Sequence, residues 1–231
     1  MISVVIPTLD SERGLLATLG SLVSAAADGA VRDVVVMDGG SHDGTAIVAD
    51  AAGCTFVAGE RSRAARLTEG ARRGRGQWLL FLTPGVEVEE GWFREARLFM
   101  ERVERQGATA HRAGVFRFAV DDFGFSARAA EWRVALRGLV TGRPLGEQGL
   151  LIHRSFYEAL GGFRALSGVE DVDLLRRIGM RRRVRLRARL LIPADCEAPQ
   201  SEELGSGLRR TLGYSLLALR VPPRLVARLY G

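Results

Sequence analysis

Three short polar stretches carry acidic side chains at spacings that can support chemistry. The first, Pro7-Thr8-Leu9-Asp10-Ser11-Glu12, sets two carboxylates and a hydroxyl directly after an apolar run. The second, Asp38-Gly39-Gly40-Ser41, follows another such run, and its two glycines let backbone approach a ligand closely. A carboxylate placed there can accept hydrogen bonds from a base N–H or from ribose hydroxyls. The third, Gly168-Val169-Glu170-Asp171-Val172-Asp173, crowds three acids together. Neighbouring carboxylates raise one another's pKa, which suits one of them to serve as a general base. Each stretch also has a plainer reading. Acids are favoured at helix N-termini by the macrodipole, and Ser11 and Asp43 stand where they could cap the helices that follow. Spacing alone leaves both readings open for all three. The lysine of a phosphate-binding loop and the glycines of a dinucleotide fingerprint are absent. His42, His111 and His153 are scattered and offer no zinc spacing.

The elements that must position these turns follow from hydrophobic periodicity. Residues 3–7 form an apolar, β-branched run that reads as a buried strand. Residues 11–25 place Leu15, Leu16, Leu19, Leu22 and Val23 at helical spacing, with Gly14 weakening the first turn. Further strands are expected at 34–37, 55–58 and 78–82, and further helices at 45–52, 63–73 and 91–105. This alternation implies an α/β fold with a parallel sheet, which binds ligands at the carboxyl ends of its strands near the switch point. The turns after Ile6, Met37 and Leu82 all lie at such ends. The second half is less regular. Strands are expected at 115–120, 149–153 and 183–191, and helices at 127–139, 155–160, 171–178 and 204–219. No repeat or linker interrupts the chain, so residues 1–231 read as one domain.

Composition bounds the partners. The chain has 231 residues, 47% of them hydrophobic and 26% charged, which excludes disorder and collagen and allows a sizeable core. No apolar run approaches the roughly 18 residues that span a bilayer, and the opening residues lack the basic region and cleavage site of a signal peptide. Cys54 and Cys196 show no pairing pattern, which suits a reducing, cytoplasmic setting with Cys54 in the core. All 33 cations are arginine and the net charge is +6. Charge alone allows nucleotide diphosphates, nucleic acid or an anionic membrane surface as partners. Arg183, Arg185, Arg187 and Arg189 fall on one strand face, either a solvated face or a phosphate-binding face near an acceptor. No aromatic residues interleave with them, so nucleic acid is not expected. Leu204, Leu208, Leu212, Leu216 and Leu219 make an amphipathic helix that either packs on its own domain or lies on an anionic membrane.

Taken jointly, the motifs resemble those of the family 2 glycosyltransferases, whose fold is called GT-A. Ser3-Val4-Val5-Ile6-Pro7-Thr8-Leu9-Asp10 is similar to their opening strand and loop, and Val36-Met37-Asp38-Gly39-Gly40-Ser41-His42-Asp43-Gly44-Thr45 to their second motif. Gly161-Gly162-Phe163 followed by Glu170-Asp171-Val172-Asp173 resembles their late acidic motif. Gly146-Glu147-Gln148-Gly149 resembles a Gly-Asp-Gln motif of a bacterial subgroup of small, single-domain members. The resemblance covers about residues 2 to 190 in order and spacing.

It implies a nucleotide-diphospho-sugar transferase-like fold, with a mostly parallel central sheet flanked by helices. It also implies a nucleotide-binding half (1–106), an acceptor half (107–200) and C-terminal amphipathic helices (201–231). Pro7, Thr8, Asp10 and Glu12 would line the nucleoside pocket, Asp38 with Gly39 would hold the base, and Arg63 would approach the diphosphate. Asp171, beside Glu170, would deprotonate the acceptor hydroxyl, with Glu147 and Gln148 on the acceptor side. The implied reaction is inverting transfer of a sugar from a nucleotide sugar to a hydroxyl or lipid-linked acceptor. The implied setting is the cytoplasm, with peripheral contact to the inner membrane.

The pattern breaks in several places. The family's fourth strand ends in an acidic motif whose last aspartate binds a divalent metal, manganese or magnesium. Here the chain reads Phe81-Leu82-Thr83-Pro84-Gly85-Val86, with Gly85 where the aspartate belongs. Asp10 stands for an Asn and Glu147 for an Asp, while Arg66 and Thr68 stand for Gln and Asn. Three explanations compete: Glu87 or Glu89 holds the metal, arginines replace it, or the domain binds without catalysing. The rival functions are therefore a nucleotide-sugar-binding module of the same fold and an arginine-rich protein of membrane surfaces or nucleic acid.

Overall fold

The structure is a computed structural model that describes residues 1–59, 62–121, 149–166 and 170–193. Its elements in chain order are β1 (Ile2–Thr8), α1 (Glu12–Ala27), β2 (Val31–Asp38), α2 (Thr45–Ala51), β3 (Thr55–Ala58), α3 (Arg63–Arg73) and β4 (Trp78–Phe81). There follow β5 (Glu87–Val88), α4 (Trp92–Arg105), β6 (Ala113–Asp121), β7 (Leu150–His153), α5 (Arg154–Ala159), α6 (Glu170–Ile178) and β8 (Arg183–Pro193). The helices expected at 127–139 and 204–219 lie outside the described residues.

One sheet takes in all these strands, in the order β3-β2-β1-β4-β7-β6-β8-β5. The pairs β1–β2, β2–β3, β1–β4 and β6–β8 are parallel, while β4–β7, β6–β7 and β5–β8 are antiparallel. The chain winds outward from β1 to β3 and then crosses to β4 on the other side of β1. The switch point therefore lies between β1 and β4, where ligands bind in such sheets.

Side chains alternate between two cores. Ile2, Val4, Ile6, Trp78, Leu80 and Leu151 face the layer of α1 and α4. Val5, Leu79, Phe81, Leu150 and Ile152 face the layer of α3, α5 and α6. A strand covered on both faces has no polar alternation, which is why the sequence shows continuous apolar runs.

Two starting expectations need correction. Ser11 does not cap α1, because its hydroxyl turns back to donate to the Leu9 carbonyl at 2.8 Å. The first helical N–H, that of Glu12, is instead taken by Asp43 Oδ2 at 2.9 Å, from the far side of the next loop. Asp43 Oδ1 also accepts the Thr45 N–H at 3.0 Å, so one carboxylate serves two helix starts. Cys54 precedes β3 and is half-buried against the core, where burial pushes its thiol up to about 11. Gly14 has a positional reason: a Cβ there would meet the Gly85 nitrogen at 2.9 Å.

Strand β5 is an element that the periodicity does not show. It pairs Glu87 and Val88 with Leu191 and Leu190 of β8. Beyond it, carboxylates stand in for a strand: Glu95 accepts the Arg187 and Ala188 N–H groups at 2.6 Å each, and Glu89 accepts that of Arg189 at 3.0 Å. These bonds satisfy an edge that would otherwise present open donors. The arginines of β8 alternate with buried Leu186, Ala188 and Leu190, and Arg185, Arg187 and Arg189 are exposed.

At the opposite rim, Arg154 closes α3. Its guanidinium donates to the carbonyls of Ala71 at 2.6 Å, Gly74 at 2.5 Å and Gly76 at 3.1 Å. These are the orphan acceptors that follow a helix C-terminus.

Candidate active site

The carboxyl ends of β1 and β2 are laced into one polar floor. Asp38, 3% exposed, ends β2 with both oxygens engaged. Oδ1 accepts from the Thr8 hydroxyl at 3.0 Å and the Ser41 hydroxyl at 2.5 Å, and Oδ2 from the Gly40 and Ser41 N–H groups at 2.8 Å each. Burial raises the pKa of this carboxyl, but the hydrogen bonds outweigh it and hold it below the ordinary value. Asp38 thus shapes the turn, and to hold a base it would have to release one of these donors.

The loop after β1 is tied to the same turn. The Asp10 N–H donates to Ser41 Oγ at 2.8 Å, and Asp10 Oδ1 accepts the His42 N–H at 2.7 Å. Asp10 takes a left-handed φ of 44°, which aspartate tolerates better than most residues. Glu12 Oε2 accepts the Gly44 N–H at 3.0 Å, and a Cβ on Gly44 would meet the Glu12 carboxyl carbon at 2.6 Å. Pro7 and Thr8 are buried, whereas Asp10 and Glu12 are exposed.

Helix α3 brings two arginines to this floor. It sits close because Gly70 faces Val5 and Met37 without a side chain of its own. Arg63 Nη1 contacts Asp171 Oδ2 at 2.6 Å and Glu170 Oε1 at 3.2 Å. Arg66, 6% exposed, donates from Nη1 to the Thr8 carbonyl and lies against Gly39. Burial and Arg63 lower the Arg66 pKa, and Asp38 and Glu170 offset them only in part. The three acidic turns therefore meet through a chain of charges, Asp38–Arg66–Arg63–Glu170/Asp171.

Glu170 and Asp171 are 4% and 5% exposed on the first turn of α6. Burial and Asp171 raise the Glu170 pKa, and Arg63 opposes the rise. Glu170 Oε2 and Asp171 Oδ1 have no hydrogen-bond partner among the described residues. Burying charge with open lone pairs is costly, and sites that do so are candidates for chemistry. Asp173 differs. Its Oδ2 accepts from Arg177 Nε at 2.8 Å and is ion-paired with Nη2 at 2.7 Å, while Arg177 also donates to the Leu160 and Gly162 carbonyls. That network fastens the Gly161-Gly162-Phe163 turn to α6 and makes Asp173 structural.

The expected metal position does not fit. Gly85 ends the turn after β4 with φ at 86°, and its N–H donates to the Gly14 carbonyl at 2.9 Å and Thr18 Oγ1 at 3.1 Å. Glu87 lies on β5, and the Glu89 carboxylate is spent on the β8 edge. Among the described residues, no three His, Cys, Asp or Glu side chains come close enough to hold a metal ion. Glu147 and Gln148 lie outside the described residues. Arg66, expected only as a departure from the family's pattern with no role assigned, is brought to the site three residues from Arg63 on the same helix.

The chain matches the model of the family described as glycosyl transferase family 2 over residues 3–137. No curated protein sequence matches it. Among solved structures it is similar to glucosyl-3-phosphoglycerate synthase from Mycobacterium tuberculosis in complex with Mn2+, uridine diphosphate and glucosyl-3-phosphoglycerate. That likeness has 21% identity, covers 96% of this chain and 81% of the other, and has a TM-score of 0.62. The same synthase with Mn2+, uridine-diphosphate-glucose and phosphoglyceric acid gives 21% identity, 96% and 80% coverage and a TM-score of 0.62. Another mycobacterial protein gives 22% identity, 96% and 76% coverage and a TM-score of 0.61. At these identities the structural likeness speaks for the fold, which is GT-A.

Proposed function

Because the chain belongs to glycosyl transferase family 2, and so is a glycosyltransferase acting on a nucleotide sugar, we propose inverting transfer of the sugar to a hydroxyl acceptor. The observation that carries this is the contact of Arg63 with Asp171 and Glu170, next to Arg66 and the Asp38 turn. This contact supports a general base next to the arginine proposed to meet the diphosphate. Pro7, Thr8, Asp10, Glu12 and Gly39 form the nucleoside side of the pocket, with Asp38 setting its shape. Asp171 takes the proton of the acceptor hydroxyl, with Glu170 beside it. The hydroxyl oxygen forms a bond to the anomeric carbon from the face opposite the leaving group. The bond to the diphosphate breaks, and its electron pair goes to the departing phosphate oxygen. The transition state is oxocarbenium-like, and positive charge must already stand where the negative charge develops.

The mycobacterial synthase bound to uridine-diphosphate-glucose supports a uridine or related nucleotide sugar as donor. Among the described residues no group of acids or histidines fits a divalent metal, and no step here runs through one. Glu147 and Gln148 are proposed for the acceptor side, and residues 201–231 for peripheral contact with the inner membrane by a cytoplasmic enzyme. No helix among the described residues is long and apolar enough to cross a membrane.

Asp171→Asn tests the assignment. With a panel of nucleotide sugars, release of nucleoside diphosphate is expected to fall by about 100-fold or more, the usual contribution of a general base. Affinity for the nucleoside diphosphate is expected to stay within about threefold, since no base-binding group changes. Unchanged turnover removes Asp171 from the role. Tight binding with no release by the parent chain favours a binding module of the same fold.

A further inference from the structure

The failure of the metal position to fit directs attention to what else could neutralise a leaving diphosphate. We propose that Arg66, together with Arg63, takes the charge role of the divalent cation, so that this chain binds its nucleotide diphosphate without metal. The inference rests on the nucleotide-sugar reading given above and adds the identity of the neutralising group.

Three observations carry it. Gly85 has no carboxylate to offer, and its turn is fastened to α1 through Gly14 and Thr18. Arg66 is a cation at the carboxyl ends of β1 and β2, where no ordinary core residue would be charged. It is 6% exposed, lies against Gly39 and under the Thr8 carbonyl, and its Nε has no hydrogen-bond partner among the described residues. Arg63 meets both acids through Nη1, which leaves further N–H donors on its fork.

Electrostatics point the same way. Burial and Arg63 pull the Arg66 pKa down, and Asp38 and Glu170 do not fully compensate. A buried cation in that state gains from an added anion, and a diphosphate at the mouth of the β1 and β2 turns supplies one. A guanidinium also matches phosphate oxygens in a planar, two-pronged way that a neutral amide does not.

Calorimetry on the full chain with uridine, guanosine, adenosine and thymidine diphosphates, in EDTA and in manganese, tests the idea. The diphosphate that binds is expected to do so in EDTA, and manganese is expected to change its Kd by less than about threefold. Arg66→Gln is expected to weaken that diphosphate by about tenfold or more, and the matching nucleoside by less than about threefold. Arg66→Lys keeps the charge and is expected to bind more tightly than the glutamine variant, still without metal. If the glutamine variant does not fold, the lysine variant carries the test through its binding in EDTA. A lysine variant that binds only with manganese, or as weakly as glutamine, overturns the proposal. A parent chain that binds only with manganese overturns it and spares the donor reading. A parent chain that binds none of the four in either buffer overturns both.

Discussion

Asp38 shows how one side chain can build the floor of a site. Its four hydrogen bonds gather Thr8, Gly40 and Ser41 around a buried carboxylate. Asparagine at this place would point an N–H group at donors, so Asp38→Asn is expected to cost about 1–3 kcal/mol at pH 7. Burial lifts the pKa, and the hydrogen bonds more than reverse the lift. A folded value below the unfolded value, about 3.9, means that the stabilisation is complete above that pH and lost as pH falls through the folded value. The gap between parent and variant is therefore expected to narrow below about pH 4 in urea titrations. An equal gap at pH 7 and pH 3 would contradict the depressed pKa. At this scale the sequence was only partly legible. Asp43 as a cap for the helix after it could be read locally. Its second bond, to the Glu12 N–H, joins residues 31 apart and depends on how two loops pack.

The elements were more legible than their contacts. Helix α3 was expected at 63–73 and is found there, because Ser62 and Gly74 mark its ends and the apolar spacing is helical. Strand β5 was missed because two residues are too short to display a period. The position of α3 depends on Gly70, where a Cβ would overlap Val5 and come within 2.9 Å of Met37 Cγ. Alanine would gain about 1 kcal/mol in helix propensity, but overpacking a buried wall costs about 1–3 kcal/mol, so the clash wins. Gly70→Ala is expected to lower the denaturation midpoint and to weaken nucleoside diphosphate binding together, since the displaced helix carries both arginines. Raised stability with unchanged binding would show that the wall yields freely.

On the scale of the molecule, the sheet unites chain segments that the sequence could not order. The first three strands and their crossovers were readable from alternation. The insertion of antiparallel β7 between β4 and β6 was not, because strand order in the second half is set by residues far apart in sequence. Leu151 of β7 is fully buried in the same core as Ile2 and Leu80. Leu151→Ala is expected to cost about 2–5 kcal/mol. If the described strands form one cooperative unit, near-ultraviolet and far-ultraviolet dichroism should report a single shifted transition. Separate transitions would divide the chain at β4 and β7.

The guanidinium of Arg154 gives this unity a direction. It arrives from the first residue of α5, directly after β7, and grips the carbonyls of Ala71 and Gly74 at the end of α3, the helix whose opposite end holds Arg63 and Arg66. The helix is thus anchored at its foot by Arg154, while its head faces the polar floor at the carboxyl ends of β1 and β2. A shift around β7 would be carried along a helix of about 16 Å to Arg63 and Arg66. The contacts of Arg63 with Glu170 and Asp171 would come out of alignment with it.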